Sequence, residues 1–120
     1  MCNSNYYRYT STFTPRIDVS EDDKKIYFEA ELAGVDKSDV KVSIDGDNVL
    51  TIKGEKKSPF VDSKKIDCRN ERLYGSFSRS FKLPNVAFTG KIEASMDSGI
   101  LHVAIDKSEE ETKEKTIDIN

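Results

Sequence analysis

The sequence has 120 residues and a mass of 13.6 kDa, which leaves room for a single domain. Its residues are 34% charged and only 36% hydrophobic, so a thin core is expected and a doubly wound α/β fold is disfavoured. The net charge of −3 excludes the basic footprint of a nucleic-acid-binding domain, and no apolar run approaches the roughly 18 residues that span a membrane.

The first fourteen residues, MCNSNYYRYTSTFT, follow neither the period of a strand nor that of a helix. We therefore predict a flexible arm over residues 1–14, ending before Pro15. The arm lacks the apolar stretch of a secretory signal, so a soluble protein of the cytoplasm is expected. Four of the chain's eleven aromatic residues lie in it: Tyr6, Tyr7, Tyr9 and Phe13.

After the arm, short segments with alternating apolar and polar residues follow one another, as in strands that bury one face. Gly34–Asp39 interrupts them and predicts a turn or a single helical turn. The sequence Asp45-Gly46-Asp47-Asn48 is typical of a hairpin turn. The first four predicted strands are Arg16–Ser20, Lys25–Leu32, Val40–Asp45 and Val49–Glu55.

The segment from Lys56 to Tyr74 is too long for a structureless loop in a compact domain, so we predict a hidden edge strand over Lys64–Arg69. The alternation resumes in Gly75–Leu83, Lys91–Met96 and Ile100–Ile105. Eight short strands without a credible helix predict one domain over residues 15–106, an all-β, antiparallel, immunoglobulin-like β-sandwich. In its seventh strand, three residues are expected to point inward: Ile92, Ala94 and Met96.

No pattern in the sequence supports catalysis or metal binding. His102, the only histidine, has the outward parity of its strand and no G-x-S-x-G motif accompanies it, so we expect a surface histidine. Glu29 and Glu31 share an outward face and are predicted to be solvated. Cys2 and Cys68 lie far apart without a CxxC pair, so a zinc site lacks ligands and free thiols are expected. No cofactor motif is present, and we do not expect an enzyme.

Arg79 breaks the pattern of its strand because period 2 places it on the same face as Phe77 and Phe81. A guanidinium on an apolar face needs a partner, since burying an isolated charge is prohibitive. Two readings stay open. The side chain reaches the sheet edge and solvent, or it forms an ion pair across a subunit interface, where the bidentate geometry of arginine is favourable.

The last residues, 107–120, are predicted to form an acidic, flexible extension. Residues 106–120 hold 6 acids and 3 bases, whereas the rest of the chain is balanced. Two isoleucines at period 2, Ile117 and Ile119, follow the solvated run and are typical of a β-peptide that fills a groove at a sheet edge. Burying both is worth roughly 3–6 kcal/mol before the cost of ordering the segment, which predicts a weak, reversible contact. A frayed terminus is the alternative.

Taken in order, these segments resemble the small heat-shock protein family, whose core is the α-crystallin domain. The resemblance covers about residues 15–119 and rests on six pieces. They are PRIDV (15–19), AELAGV (30–35), NVLTIKGE (48–55), ERLYGSFSRSFKLP (71–84), Ala94 followed by GILHVAI (99–105), and the I-x-I of residues 117–119.

This resemblance implies an ATP-independent holdase that binds unfolding client proteins and prevents their aggregation, without a cofactor. The long segment after Lys56 is similar to the plant, fungal and bacterial type, in which an edge strand swaps into the partner of a dimer and the dimers build a homo-oligomer. Lys64–Cys68 would then pair with Arg16–Val19 of the other chain. The implied dimer-interface residues are Ile17, Val19, Lys64, Lys65, Ile66, Asp67, Cys68, Glu71 and Arg79.

The resemblance also implies that Ile117 and Ile119 dock on a neighbouring subunit, in a groove walled by Val40, Val42, Ile44, Ile92 and Ala94. The arm, shorter than the usual N-terminal region of the family, would contact clients through Tyr6, Tyr7, Tyr9 and Phe13. Two other functions are compatible with the sequence: a CS-type co-chaperone sandwich that docks one defined partner, and a structural subunit that assembles but binds clients weakly. The long loop, the I-x-I and the lack of tryptophan disfavour the CS-type module.

Overall fold

The computed structural model describes residues 13–59, 64, 71–84 and 91–107, and the fold is given for these residues. They form seven strands and one short 3₁₀ turn, Lys37–Asp39. The strands are β1 (Ile17–Glu21), β2 (Lys25–Glu31), β3 (Val40–Ile44), β4 (Val49–Lys56), β5 (Gly75–Lys82), β6 (Ile92–Asp97) and β7 (Ile100–Asp106).

The strands form two sheets, one of four strands in the order β1-β2-β7-β6 and one of three strands in the order β3-β4-β5. Every strand pairing is antiparallel. The chain passes from the first sheet to the second through the 3₁₀ turn between β2 and β3. The antiparallel β-sandwich predicted from the sequence is confirmed.

The core lies between the sheets because each strand turns its apolar residues to the same side. Val103 of β7 lies opposite Phe28 of β2, and both are almost fully buried. Leu50 and Ile52 of β4 belong to the same cluster from the other sheet. The remaining buried hydrophobic residues are Ile26, Ala30, Leu32, Val35, Phe77, Leu83, Leu101 and Ile105.

Seven of the eight predicted strands are confirmed, with ends that differ by at most one residue. The predicted hairpin turn joins β3 to β4, and Asn48 adopts a positive φ of 61° there. The eighth strand, Lys64–Arg69, falls outside the described residues except for Lys64, which is exposed and lies in a bend.

Strand β6 has the predicted parity, but two of its three inward residues are not buried. Ile92, Ala94 and Met96 lie opposite the buried residues of β7, on the inner side of the sheet. Ile92 and Ala94 are nevertheless exposed, and only Met96 is half-buried. The reason is that β6 is the edge of its sheet, so its inner face is only partly covered by the opposite sheet.

Gly54 lies where β4 passes close to the backbone that enters β3. A Cβ atom at Gly54 would overlap the carbonyl oxygen of Asp39 and lie 3.0 Å from Cζ of Phe77. The packing of the 3₁₀ turn against β4 therefore requires glycine at this position.

Gly54→Ala is expected to lower the free energy of unfolding by about 1–3 kcal/mol, because the backbone must shift to admit the methyl group. Urea unfolding at a fixed protomer concentration measures the change. Gly46→Ala is the matched control, since nothing lies within 4 Å of an added Cβ there. Equal losses in the two variants would contradict the close approach at Gly54.

Candidate functional site

A groove of about 280 Å³ runs between the edge strands β3 and β6. Three of the predicted tail-groove residues, Val40, Val42 and Ala94, line it together. The other two are on the same strands: Ile44 is half-buried at the end of β3, and Ile92 is exposed at the start of β6. The lining also includes four residues that sequence reasoning missed: Lys37, Ser95, Met96 and Leu101.

The groove is apolar because alternation on β3 sends Val40 and Val42 inward and Lys41 outward. The neighbouring edge strand β6 adds Ala94, whose small side chain leaves the space open. Two apolar positions at period 2 on an edge strand suit a peptide with apolar residues at the same period. This side of the sandwich can therefore bind an extended segment.

Strand β1 is the edge of the four-stranded sheet on the opposite side of the sandwich. Ile17 and Val19 pair with Ala30 and Phe28 of β2, and within the described ranges no strand lies on the other side of β1. Ile17 is half-buried, but Val19 is 52% exposed and borders a hollow of about 360 Å³. An unpaired edge beside an exposed valine is a surface that another strand can cover.

The turn between β1 and β2 is fixed by the carboxylate of Asp22. It accepts hydrogen bonds from the backbone N–H of Lys24 (2.8 Å), from the backbone N–H of Lys25 (2.7 Å) and from the Tyr27 hydroxyl (2.7 Å). These bonds, above all the one from the hydroxyl, lower the pKa of Asp22 to about 2, and the same bond raises the pKa of Tyr27. Lys107 Nζ donates to the Asp22 carbonyl oxygen at 2.7 Å, which ties the turn to the start of the C-terminal extension.

Arg79 is half-buried on the edge strand β5, on the inward side that it shares with Phe77 and Phe81. Its Nη1 donates to the carbonyl oxygen of Pro15 at 2.7 Å, and the guanidinium lies 5.2 Å from the centre of the Phe81 ring. A carbonyl of the same chain is thus one partner of Arg79, and the ion pair across a subunit interface stays a prediction. Glu71, the acid expected opposite Arg79 in a dimer, is exposed.

Phe13, placed in the arm by the sequence analysis, packs on the sandwich. Its backbone N–H donates to the carbonyl oxygen of Tyr74 at 3.1 Å, and its ring meets Phe77 edge to face at 5.5 Å. The ammonium of Lys56 lies 4.8 Å from the centre of the Phe13 ring. Phe13 is half-buried, so the packed part of the chain extends at least two residues before Pro15.

The remaining predicted site residues lie outside the described part of the chain, and their roles stay predictions. For the client contact they are Tyr6, Tyr7 and Tyr9; for the swapped strand Lys65, Ile66, Asp67 and Cys68; and for the tail motif Ile117 and Ile119. Cys2 lies outside it as well.

His102 lies on the outer side of β7, 3.4 Å from the carboxylate of Glu29, with 44% of its side chain exposed. This is the surface histidine that the sequence predicted. Across the residues that the structure describes, no three His, Cys, Asp or Glu side chains are grouped to hold a metal ion. No helix within the same ranges is long and apolar enough to cross a membrane.

Comparison with known proteins places this sandwich among heat-shock proteins. The sequence model of the Hsp20/alpha crystallin family matches residues 18–120. Small heat shock protein C2 of Rickettsia felis is 41% identical over 96 residues, which are 80% of this chain and 62% of that protein. The 17.8 kDa class I heat shock protein of Arabidopsis thaliana is 40% identical over 115 residues, 92% of this chain and 73% of the relative.

Solved structures agree with the sequence relatives. Heat shock protein 16.0 from Schizosaccharomyces pombe superposes with a TM-score of 0.73 at 34% identity, covering 90% of this chain and 99% of that one. A small heat-shock protein from Xylella fastidiosa gives a TM-score of 0.72 at 37% identity, with 82% and 89% of the two chains covered.

The Asp22 turn predicts how the stability of the sandwich depends on pH. A carboxyl group whose pKa is lowered from 3.8 to about 2 stabilises the folded state above its ordinary pKa, and this stabilisation is lost as the pH falls through the folded value. Asp22→Ala is therefore expected to be less stable than the parent at neutral pH, by an amount that shrinks between about pH 4 and pH 2.

Urea unfolding of both proteins across this pH range measures the difference, again at a fixed protomer concentration. Asp23→Ala, at the neighbouring exposed position of the same turn, serves as the control. A difference between Asp22→Ala and the parent that stays constant from neutral pH to pH 2 would contradict the role of the Asp22 carboxylate.

Proposed function

The chain belongs to the Hsp20/alpha crystallin family, and from this premise we propose that it is an ATP-independent holdase that binds unfolding proteins and suppresses their aggregation. The match of the family to residues 18–120 carries the proposal. The exposed apolar residues at both open sides of the sandwich support it, because a holdase needs apolar surface that a folded domain does not cover itself.

In this proposal, clients bind reversibly, and the bound fraction depends on the concentrations of client and chaperone. A client that has lost its packing exposes apolar segments in extended form, and these compete for the unpaired edges and grooves of the sandwich. The aromatic residues Tyr6, Tyr7, Tyr9 and Phe13 add contacts, with Phe13 anchored on the domain. No catalytic step, cofactor, metal ion, nucleic acid or membrane takes part, and the protein acts in the cytoplasm.

The proposed building block is a dimer that exchanges its edge strands. Residues 64–68 of one chain add to β1 of the partner and cover Ile17 and Val19. The open edge of β1 and the exposure of Val19 support this arrangement. A guanidinium has five N–H donors, so Arg79 can bond the Pro15 carbonyl and still reach an acid such as Glu71 of the partner.

Dimers associate further through the extension, residues 107–120, in this proposal. Ile117 and Ile119 enter the groove between β3 and β6 of a neighbouring subunit, beside Val40, Val42 and Ala94. Apolar residues occur at every second position both in the peptide and in β3, which supports this pairing. The relative from Xylella fastidiosa is described as having a distinct high order structure.

Of the other functions weighed, the CS-type module loses its support, because the relatives above are named as heat-shock proteins. The structural subunit with weak client binding remains the second candidate. The observation that favours it is Phe13, an aromatic residue expected to contact clients that is half-buried on the sandwich instead.

The test of the holdase is the light scattering of a heat-aggregating client protein. An equimolar or larger amount of this chain is expected to suppress the scattering, equally with and without ATP. An unrelated soluble protein at the same mass concentration controls for crowding. Undiminished aggregation at excess would contradict the holdase, and it would favour the structural subunit if the assembly itself is intact.

The assembly role of the extension is tested with the double variant Ile117→Ala/Ile119→Ala. We expect native mass spectrometry to show smaller species, down to the dimer, because the variant loses most of the apolar burial in the groove. Thr116→Ala/Asn120→Ala, which changes the flanking polar residues, should keep the parent mass. An unchanged mass in the isoleucine variant would show that the extension is not an assembly peptide.

A further inference from the structure

The outer faces of the two sheets carry opposite charges. We call the outer side of the four-stranded sheet the acidic face and that of the three-stranded sheet the basic face. Among its strand residues the acidic face presents one lysine, Lys25, the histidine His102 and six carboxylates: Asp18, Glu29, Glu31, Glu93, Asp97 and Asp106. The basic face presents one carboxylate, Glu55, and three lysines: Lys41, Lys53 and Lys82.

Each face contains a pair of like charges directly opposite each other in the strand register. On the acidic face Asp18 of β1 lies opposite Glu29 of β2, and on the basic face Lys41 of β3 lies opposite Lys53 of β4. All four side chains are exposed. Like charges at directly opposite positions destabilise a sheet, so the stability of a single sandwich does not explain the lysine pair. On the acidic face, Glu29 also lies 3.4 Å from the imidazole of His102, whereas Asp18 still faces a like charge.

Lys41 and Lys53 also lie next to a shallow depression of about 540 Å³ on the basic face. Its lining also includes the hydroxyl-bearing residues Ser38, Ser76 and Ser78 and two carboxylate residues, Asp39 and Glu55. A hydroxyl group can donate a hydrogen bond to a carboxylate oxygen. The hydroxyl-bearing residues on the outer side of β3, β4 and β5 are Ser43, Thr51, Ser76, Ser78 and Ser80.

We propose that the acidic face of one copy of this chain docks on the basic face of a second copy. The complementary charges are the argument, since the pair Asp18 and Glu29 and the pair Lys41 and Lys53 would each find opposite charges across such a contact. The two faces differ, so the contact is heterologous. One acidic and one basic face stay free at its ends, and the contact can repeat.

This contact is separate from the strand exchange at β1 and from the groove between β3 and β6, because it uses the outer sides of the sheets. Its charges are exposed, so it is weak and depends on ionic strength. The acidic run Glu109–Glu111 of the extension is another candidate occupant of the basic face. The experiment distinguishes the two.

The experiment uses the full chain with Ile117→Ala/Ile119→Ala, so that association through the tail motif does not contribute. Sedimentation velocity at about 20 mM and about 500 mM NaCl compares conditions in which exposed charges are weakly and strongly screened. We expect the dimers to associate further at low salt and this association to be lost at high salt. Association that is the same at both salt concentrations would overturn the proposal.

Charge reversal then tests the faces. Lys41→Glu/Lys53→Glu and Asp18→Lys/Glu29→Lys are each expected to weaken the low-salt association by about tenfold. In a chain with all four substitutions, both pairs of charges are reversed, so the two faces are again complementary at these positions. This variant should restore the association. Lys24→Glu, in the exposed β1–β2 turn, is the control for Lys53→Glu alone, and only Lys53→Glu should weaken association.

A fourfold variant that associates no better than either double variant would overturn the proposal, as would equal effects of Lys24→Glu and Lys53→Glu. The variant Glu109→Gln/Glu110→Gln/Glu111→Gln keeps both faces and should associate like the parent. If it alone removes the salt dependence, the extension and not a second copy occupies the basic face. Neither result bears on the holdase activity or the tail motif, which are measured separately.

Discussion

The backbone N–H and C=O groups at the edges of the two sheets determine what this sandwich has to bind. A sandwich of one four-stranded and one three-stranded sheet has four edge strands, β1, β3, β5 and β6, whose outer N–H and C=O groups need partners. The described residues fill the space between the sheets but add no further strand to these edges. The edges meet in pairs, β3 with β6 and β1 with β5, and each pair borders an apolar hollow.

The two open sides differ in what closes them. On the β1 side the chain supplies part of the cover itself, because Phe13 packs on Phe77 and Arg79 holds the Pro15 carbonyl. On the β3 side, Val40 and Val42 face a groove that the described residues leave open. This difference supports the proposal that the β1 side forms the dimer and that the β3 side binds the extension reversibly.

Period and turn chemistry were enough to predict seven strands, because each strand buries one face and the pattern is local. The need of Arg79 for a partner was predictable for the same reason. That this partner is the Pro15 carbonyl was not predictable, because every residue carries a carbonyl and only the fold brings this one near the guanidinium. The Asp22 turn has a sequence signal, an aspartate before a strand, yet Glu21 and Asp23 gave similar signals. The exposure of Ile92 and Ala94 depends on where the opposite sheet ends, and the alternation of residues within β6 does not predict this.

In the proposed dimer, residues 64–68 of a partner chain cover the edge of β1. Zero-length amine–carboxylate cross-linking of mixed isotope-labelled and unlabelled protein tests it most directly. We expect cross-links from Lys64 or Lys65 to Asp18 or Glu21, found as pairs of one labelled and one unlabelled peptide. Cross-links between these residues only within single chains, or none between them in an intact dimer, would contradict it.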